Sequence, residues 1–589
     1  MKRHEIENRF KWKIEDIFAS NEEFYLGLEN LKDKISFKEF KGKLNNVKTV
    51  KECYDKLYSV AGELEVYAVY AMMKHDEDGS LNSSVKLVGA IEDLEVKFSL
   101  EVSFIEPELT SLPIELLNSF VGDDSLKLYK RDLIRIIDYK PHILGEEAES
   151  VLALGGKVYG GFKKIFGLID DVDLDFPTIK VDGKKVKITG STYSLLLQNP
   201  DKEVRKKAFK SYFKAYYKVL NTITAVYQGN VDKNVFFTKV RKFNSCLERA
   251  LFAEEVDSKV YYSLLSNVKK ALPTLHRYIE DKKSILGFDI NMYDLYVPLV
   301  KGAELKLDYD DAFELVKQGL KPLGDDYISL LDKAKKERWI DVYENDGKRS
   351  GAYSVSVHNL KHPYVLLNHT KTTHSVFTIA HELGHAIHSY KSNAAQPITT
   401  SDYKIFVAEV ASTVNEILLI KHLIKNETDV ERKKYFLSYY LDTIRTTLFR
   451  QTMFAEFEQI AHDKVEKGEA LTKEDLSDVY LKLNKKYYGK GVKHNKEISY
   501  EWARIPHFYT AFYVYKYATG IISAIAISEK ILNGESNAVE NYFKFLSSGA
   551  SDNPVELLKI AGVDLTSQES YDIAFNSFEN ALKEFESLL

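Results

Sequence analysis

Ser375-Val376-Phe377-Thr378-Ile379-Ala380-His381-Glu382-Leu383-Gly384-His385-Ala386-Ile387-His388-Ser389 is the stretch on which the reading of this chain turns. Val376, Phe377, Ile379, Ala380, Leu383, Ala386 and Ile387 recur at helical spacing, which predicts a buried helix opening near Ser375 as its N-cap. Residues four apart share a helix face, so the imidazoles of His381 and His385 can reach one ion. Glu382 stands beside them, a carboxylate able to take a proton from metal-activated water. A buried helix that presents two imidazoles and a carboxylate needs something to satisfy them, and a zinc ion does so.

His388 lies seven residues after His381 on nearly the same face and reads as a packing residue or a support for the ligands. Metzincins place a third histidine ten residues after the first, with glycine between; Lys391 and His388 occupy those positions here, which excludes that class. The third ligand must come from elsewhere. Ser392 to Thr400 reads as a loop, and Ser401-Asp402 can cap a second helix. There Phe406-Val407-Ala408-Glu409-Val410-Ala411 sets a carboxylate among small and apolar residues, with Glu416 seven residues later on the same face. Glu409 is the candidate third ligand and Glu416 the candidate partner that orients a ligand. His358, His362, His369 and His374 lead into the motif helix and either line a cleft or meet solvent.

Long stretches outside the motif also carry helical periodicity with charged outer faces, among them Phe24 to Leu44, Val50 to Lys74, Leu81 to Ser103 and Lys202 to Asp232. Asp201 is a plausible N-cap for the last of these. Strand signals are few: Thr178 to Thr189 alternates around an Asp182-Gly183 turn, and Ala352 to Val357 and Tyr364 to Asn368 are short and β-prone. A break near residue 190 is expected, with an N-terminal helical lobe over 1–190 and a catalytic lobe over 191–589. Gly155-Gly156-Lys157-Val158-Tyr159-Gly160-Gly161 lacks the Gly-Lys-Ser/Thr ending of a phosphate loop and reads as a turn between helices.

With 589 residues the chain exceeds what one core supports. Its 82 basic and 87 acidic residues leave a net charge of −5, which argues against nucleic acid as a partner. Cys53 and Cys246 are too few for a disulfide framework or a Cys-rich zinc site, and fit a reducing compartment. The charged opening Met1 to Asn8 lacks an apolar core and is not read as a signal peptide, and no apolar run spans a bilayer. A cytoplasmic location and no membrane contact are expected.

Four runs in order carry a resemblance: Gly347-Lys348-Arg349-Ser350-Gly351-Ala352-Tyr353-Ser354, Pro363-Tyr364-Val365-Leu366-Leu367-Asn368, His381 to Ser389, and Ala408-Glu409-Val410-Ala411-Ser412-Thr413. Together they resemble oligoendopeptidase F, in the thimet oligopeptidase (M3) family of zinc metallopeptidases. Trp12 to Phe18 is similar to the start of such proteins, and Arg504-Ile505-Pro506-His507-Phe508-Tyr509 with Phe512 to Gly520 resembles their C-terminal signature. The resemblance implies a mainly α, two-lobed ellipsoid with a deep central channel, a small β-sheet beside the active-site helix, and one zinc ion held by His381, His385 and Glu409. It implies oligopeptide substrates, paired by β-augmentation along the Gly347 to Ser354 strand edge. It also implies that His507, Tyr509 and Tyr515 grip the substrate carbonyl. By spacing alone, Tyr509, Tyr513 and Tyr517 form a packed aromatic stripe.

The expected mechanism uses Glu382 as general base and, after attack, as proton donor to the leaving amine. A zinc carboxypeptidase or dipeptidyl carboxypeptidase on the same scaffold is the alternative; it would need a cationic anchor for the substrate carboxylate, for which Arg504 is the candidate. A peptide-binding protein without catalysis is the reading from another class, and the intact Glu382 speaks against it.

Overall fold

The computed structural model describes residues 1–300 and 302–589, and the chain is mainly α with two small sheets. Helix α1 (Val47–Glu77) is capped by Asn46, whose side chain accepts the Thr49 amide, and runs for 31 residues. Helix α2 (Asn82–Val102) returns along it, burying Leu87, Ile91 and Leu94 at helical spacing. Strands β1 (Thr178–Val181) and β2 (Lys184–Lys187) form the expected antiparallel hairpin. Its turn residues Asp182 and Gly183 both take positive φ, 48° and 77°, as a two-residue hairpin requires. Asp201 does cap a helix, accepting the Glu203 amide, but the helical run does not continue unbroken to Asp232. It ends at Lys218, where Val219 leaves helical geometry, and α3 (Leu220–Val240) follows, then α4 (Ser258–Leu286).

Strands β3 (Ile340–Asp341), β4 (Tyr353–Val355) and β5 (Tyr364–Leu366) make a sheet of order β3-β5-β4, with β4 antiparallel to β5 along one edge. Helix α5 (Thr373–Ala395) holds the histidine motif and α6 (Ile405–Asn426) follows it. Further on come α7 (Arg450–Glu466) and α8 (Tyr515–Leu532). The glycine run 155–161 lies in short helical turns, Gly156–Tyr159 and Gly161–Leu168, and forms no phosphate loop.

The chain divides into two compact units, each assembled from three segments. One comprises Met1–Ile143, Glu304–Lys425 and Ile527–Val563; the other comprises Leu144–Ala303, Asn426–Ala526 and Asp564–Leu589. Residue 190 thus falls inside the second unit, which the chain enters near residue 144 and leaves and re-enters later. Hydrophobic periodicity reports which face of a helix is buried but not which distant segment covers it, so such a division is invisible to it.

In the first unit, Trp12, Phe24, Leu28, Leu64, Leu87 and Leu117 share a core with Tyr364 and Leu366 of β5. The loop before β4 is held from beneath by charge. Lys348 is fully buried and pairs with Asp341 at 2.7 Å, and Asp341 also accepts from Arg3 at 2.6 Å. Lys348 further donates to the Tyr343 carbonyl at 2.7 Å and the Leu367 carbonyl at 2.6 Å, so this ammonium is fully satisfied. In the second unit, Tyr227 of α3, Phe457 of α7, Trp502 and Phe508 form an aromatic core with ring centroids 5.1–6.4 Å apart. Cys53 and Cys246 are free and buried, and burial pushes both thiols up to about 12. Among the described residues no helix is long and apolar enough to cross a membrane.

Candidate metal centre

Helix α5 begins three residues earlier than its sequence suggests. Thr372, not Ser375, is the N-cap: its hydroxyl accepts the Ser375 amide at 3.2 Å while the Ser375 hydroxyl accepts the Thr372 amide at 3.0 Å. This reciprocal pair uses Ser375 as the third helical residue. The expected apolar positions are buried, and His388 is buried with them, stacked on Tyr403 at 3.7 Å. That contact makes His388 a packing residue; burial pushes its imidazole down to about 3. Lys391 sits over the Phe543 ring at 4.5 Å. Helix α6 starts at Ile405, past the expected Ser401-Asp402 cap; Asp402 instead accepts the Tyr403 amide just before it.

The two helices cross at Gly384. A Cβ on this residue would lie 2.6 Å from the Ser412 Cα, 2.7 Å from the Ala411 carbonyl oxygen and 2.9 Å from the Ser412 nitrogen. Only hydrogen fits, and the close approach carries Glu409 and Glu416 to the histidines. Asn415 fastens the crossing, donating to the Ala380 carbonyl at 2.9 Å and accepting from the Tyr327 hydroxyl at 2.9 Å.

His381 Nε2, His385 Nε2 and Glu409 Oε2 then form a triangle with edges of 3.2, 3.4 and 3.6 Å. Ligands about 2.0–2.1 Å from a tetrahedral zinc stand roughly 3.3 Å apart, so two imidazoles and one carboxylate here match three corners of such a site in donor type and in spacing. Among the described residues these three are the group able to hold a metal ion. Glu416 accepts from Nδ1 of His381, which turns Nε2 toward the triangle. Burial opposes charge on His381, but its bonds to Glu409 and Glu416 outweigh that and raise the imidazole well above its ordinary value. Burial alone would raise Glu409; its bonds to His381 and His385 hold it well below the carboxylate range instead. Glu382 is buried at 7% exposure beside the ligands, and burial raises its carboxyl, opposed by His381 and His385. A carboxyl raised in this way suits a group that both accepts and returns a proton.

Two of the four upstream histidines are structural, while His358 is half-buried and His374 is exposed. His362 stacks on Trp339 at 5.0 Å, and His369 is held by the Leu307 carbonyl at 3.0 Å; both are buried. The segment that leaves β4 is anchored to the motif helix, where Asn393 donates to the Ser356 hydroxyl at 3.0 Å and the Val357 carbonyl at 3.2 Å.

In the second unit His507 is exposed, on the short helix Pro506–Tyr509. The structure does not group it with Tyr509 and Tyr515. Tyr509 is buried with its ring on Phe166 at 4.3 Å, and Tyr515 is buried against Tyr261 at 5.4 Å. The turn at 510–514 sends both side chains into the core and brings Tyr513 and Tyr517 to the imidazole. Tyr517 Oη lies 3.3 Å from His507 Nε2, and the Tyr513 ring stacks 5.9 Å from it. The helical stripe expected of Tyr509, Tyr513 and Tyr517 does not form: Tyr509 lies in the short helix Pro506–Tyr509 and packs on Phe166, Tyr513 precedes α8, and only Tyr513 and Tyr517 meet, beside His507. Arg504, the candidate carboxylate anchor, is occupied: it pairs with buried Glu501 at 2.8 Å, which also takes Arg450 at 2.7 Å.

Comparison with known proteins identifies the family of the chain. The family model of Peptidase family M3 matches residues 195–577, and that described as Oligopeptidase F matches residues 108–176. The chain is 40% identical to Oligopeptidase PepF of Bacillus subtilis (strain 168), over 100% of this chain and 88% of that protein. It is 38% identical to an oligoendopeptidase F homolog of Borreliella burgdorferi, over 100% and 99% of the two. The crystal structure of oligoendopeptidase-F from Enterococcus faecium superposes with a TM-score of 0.74 at 34% identity, covering 96% of this chain and 98% of that one. The chain belongs to peptidase family M3, among the oligoendopeptidases F, and is a metalloendopeptidase.

Proposed function

We propose that the chain is a zinc-dependent endopeptidase that hydrolyses internal bonds of short, unstructured oligopeptides, with His381, His385 and Glu409 holding a single zinc ion. The observation that carries this reading is the donor triangle with buried Glu382 beside it. A bound zinc ion supplies Lewis acidity and a water of lowered pKa. Glu382 takes the proton of the attacking water and returns it to the leaving amine, so no side chain of the enzyme becomes acylated. Glu416 keeps His381 in the tautomer that presents Nε2. The open edge of β4, whose following segment is tied to α5 through Asn393, aligns the peptide by main-chain hydrogen bonds that demand little of its side chains. His507 takes the substrate carbonyl, with the Tyr517 hydroxyl as its neighbouring donor; Tyr509 and Tyr515 are turned away, buried on Phe166 and Tyr261. With Arg504 committed to Glu501, nothing favours a carboxypeptidase.

The test is Glu382→Gln. It should bind zinc as the parent does and lose at least about a thousandfold in kcat on a doubly blocked, internally quenched peptide. Substantial turnover by this variant at full zinc occupancy would remove Glu382 as the base.

A further inference from the structure

The turn that joins His507 to Tyr517 carries a strained residue. Phe512 adopts φ +53°, a left-handed conformation that a bulky side chain rarely takes. Its ring is fixed in the core, 4.7 Å from His462 and edge-on to Tyr261 at 5.9 Å. Its amide donates to Glu458 Oε1 of α7 at 2.6 Å. Glu458 is fully buried, and its Oε2 has no hydrogen-bond partner among the described residues. Burying an acid with one of its two oxygens unpartnered is costly, and a structure that retains one gains something specific from it. Here the gain is local: without an acceptor at that point, the Phe512 amide would be an orphan in the core and its strained conformation would have no support. The neighbouring contacts are of one kind with it. Asn230 donates to the Phe508 carbonyl at 3.3 Å, and the Thr510 amide donates to the His507 carbonyl at 2.9 Å, so the backbone on either side of His507 is fastened from below.

We propose that Glu458 is a positioning residue: its carboxyl holds Phe512 in the left-handed conformation and thereby sets the Tyr517 hydroxyl against His507. The inference rests on the role given to His507 above. Burial raises the Glu458 carboxyl well above the carboxylate range, against the lowering effect of the Phe512 amide, so the group acts as a neutral acceptor. A neutral acid and a glutamine share size and an acceptor oxygen, which makes Glu458→Gln the conservative variant and Glu458→Met the one that deletes the acceptor at similar volume.

The experiment measures kcat and KM on a quenched peptide, zinc content, and hydrogen exchange over residues 508–517 by mass spectrometry. Glu458→Gln should stay within about threefold of the parent in kcat. Glu458→Met should bind zinc fully, keep KM, exchange faster over 508–517 and lose about tenfold or more in kcat, since the strained turn then relaxes and carries the Tyr517 hydroxyl away from His507. Tyr517→Phe should cost activity in the parent and almost nothing further in Glu458→Met, because the hydroxyl is by then already misplaced. Parent-like kcat in Glu458→Met, or undiminished loss on adding Tyr517→Phe, would overturn the proposal if His507→Ala is itself impaired. Should His507→Ala retain full kcat, it is the role of His507 that fails. Exchange then decides for Glu458: faster over 508–517 in Glu458→Met upholds the positioning contact, and unchanged exchange overturns it.

Discussion

Replacing Gly384 by alanine should injure the metal centre without touching a ligand. The added Cβ would stand 2.6 Å from the Ser412 Cα and 2.7 Å from the Ala411 carbonyl oxygen, both backbone atoms of α6 that no rotamer change can move. Ordinary carbon contacts begin near 3.4 Å, so the crossing must open by roughly 0.8 Å. Glu409 lies one turn from Ser412, whose hydroxyl donates to the Glu409 carbonyl at 3.1 Å, so its carboxylate travels with that backbone. Zinc–ligand distances tolerate about ±0.2 Å, and a displacement several times larger costs affinity. Overpacking of this kind costs about 1–3 kcal/mol, against which alanine's better helix propensity returns up to about 1 kcal/mol. The control is Gly89→Ala in α2, where a Cβ meets nothing within 4 Å and the propensity term acts alone. Chelator competition and thermal melting of both variants provide the assay. Gly384→Ala should release zinc to a weaker chelator and melt lower, while Gly89→Ala should keep its zinc and melt at or above the parent. A Gly384→Ala protein with parental zinc affinity and melting temperature would refute the close-crossing argument.

Glu416→Ala should leave three ligands in place yet lower zinc affinity by about 10–100-fold, because His381 loses the acceptor that fixes its tautomer; a chelator titration reads this. Glu409→Ala should bind substoichiometric zinc by elemental analysis, and full occupancy would exclude Glu409 as a ligand. Buried His462, held down to about 4 by desolvation, makes stability depend on pH. Its folded value lies below its unfolded one, near 6.5, so the unfolded chain binds the extra proton. Its contribution is complete above pH 6.5 and is lost as pH falls toward 4, by about 2 kcal/mol between pH 7 and 5. Urea melts at those two pH values should show that loss in the parent and less of it in His462→Gln.

The grouping of His381, His385 and Glu409 was legible because it is local. Histidines four apart on an apolar helix, and a glutamate set among alanines and valines on the next, needed only helical periodicity to be placed. The cap was misassigned to Ser375 since Thr372 and Ser375 bond each other and either could have been the first residue. Strand β3 escaped notice because two residues carry no alternation. The burial of Tyr509 and Tyr515 was not legible because it depends on the 510–514 turn, whose left-handed Phe512 no propensity suggests. The division of the chain was hidden for a different reason: its segments meet across hundreds of residues, and a sequence pattern says nothing of partners at that range.

The partnership of His381 with Glu416 closes a loop of only 35 residues, whereas Arg3 reaches Asp341 across 338. By chain-entropy scaling the shorter closure is about 2 kcal/mol cheaper. The motif helix, the glycine crossing and the helix after it are therefore a comparatively local part of the first unit, able to assemble while the chain's ends are still apart. The place where two backbones nearly touch is also, in the time order of folding, a place where they can meet early.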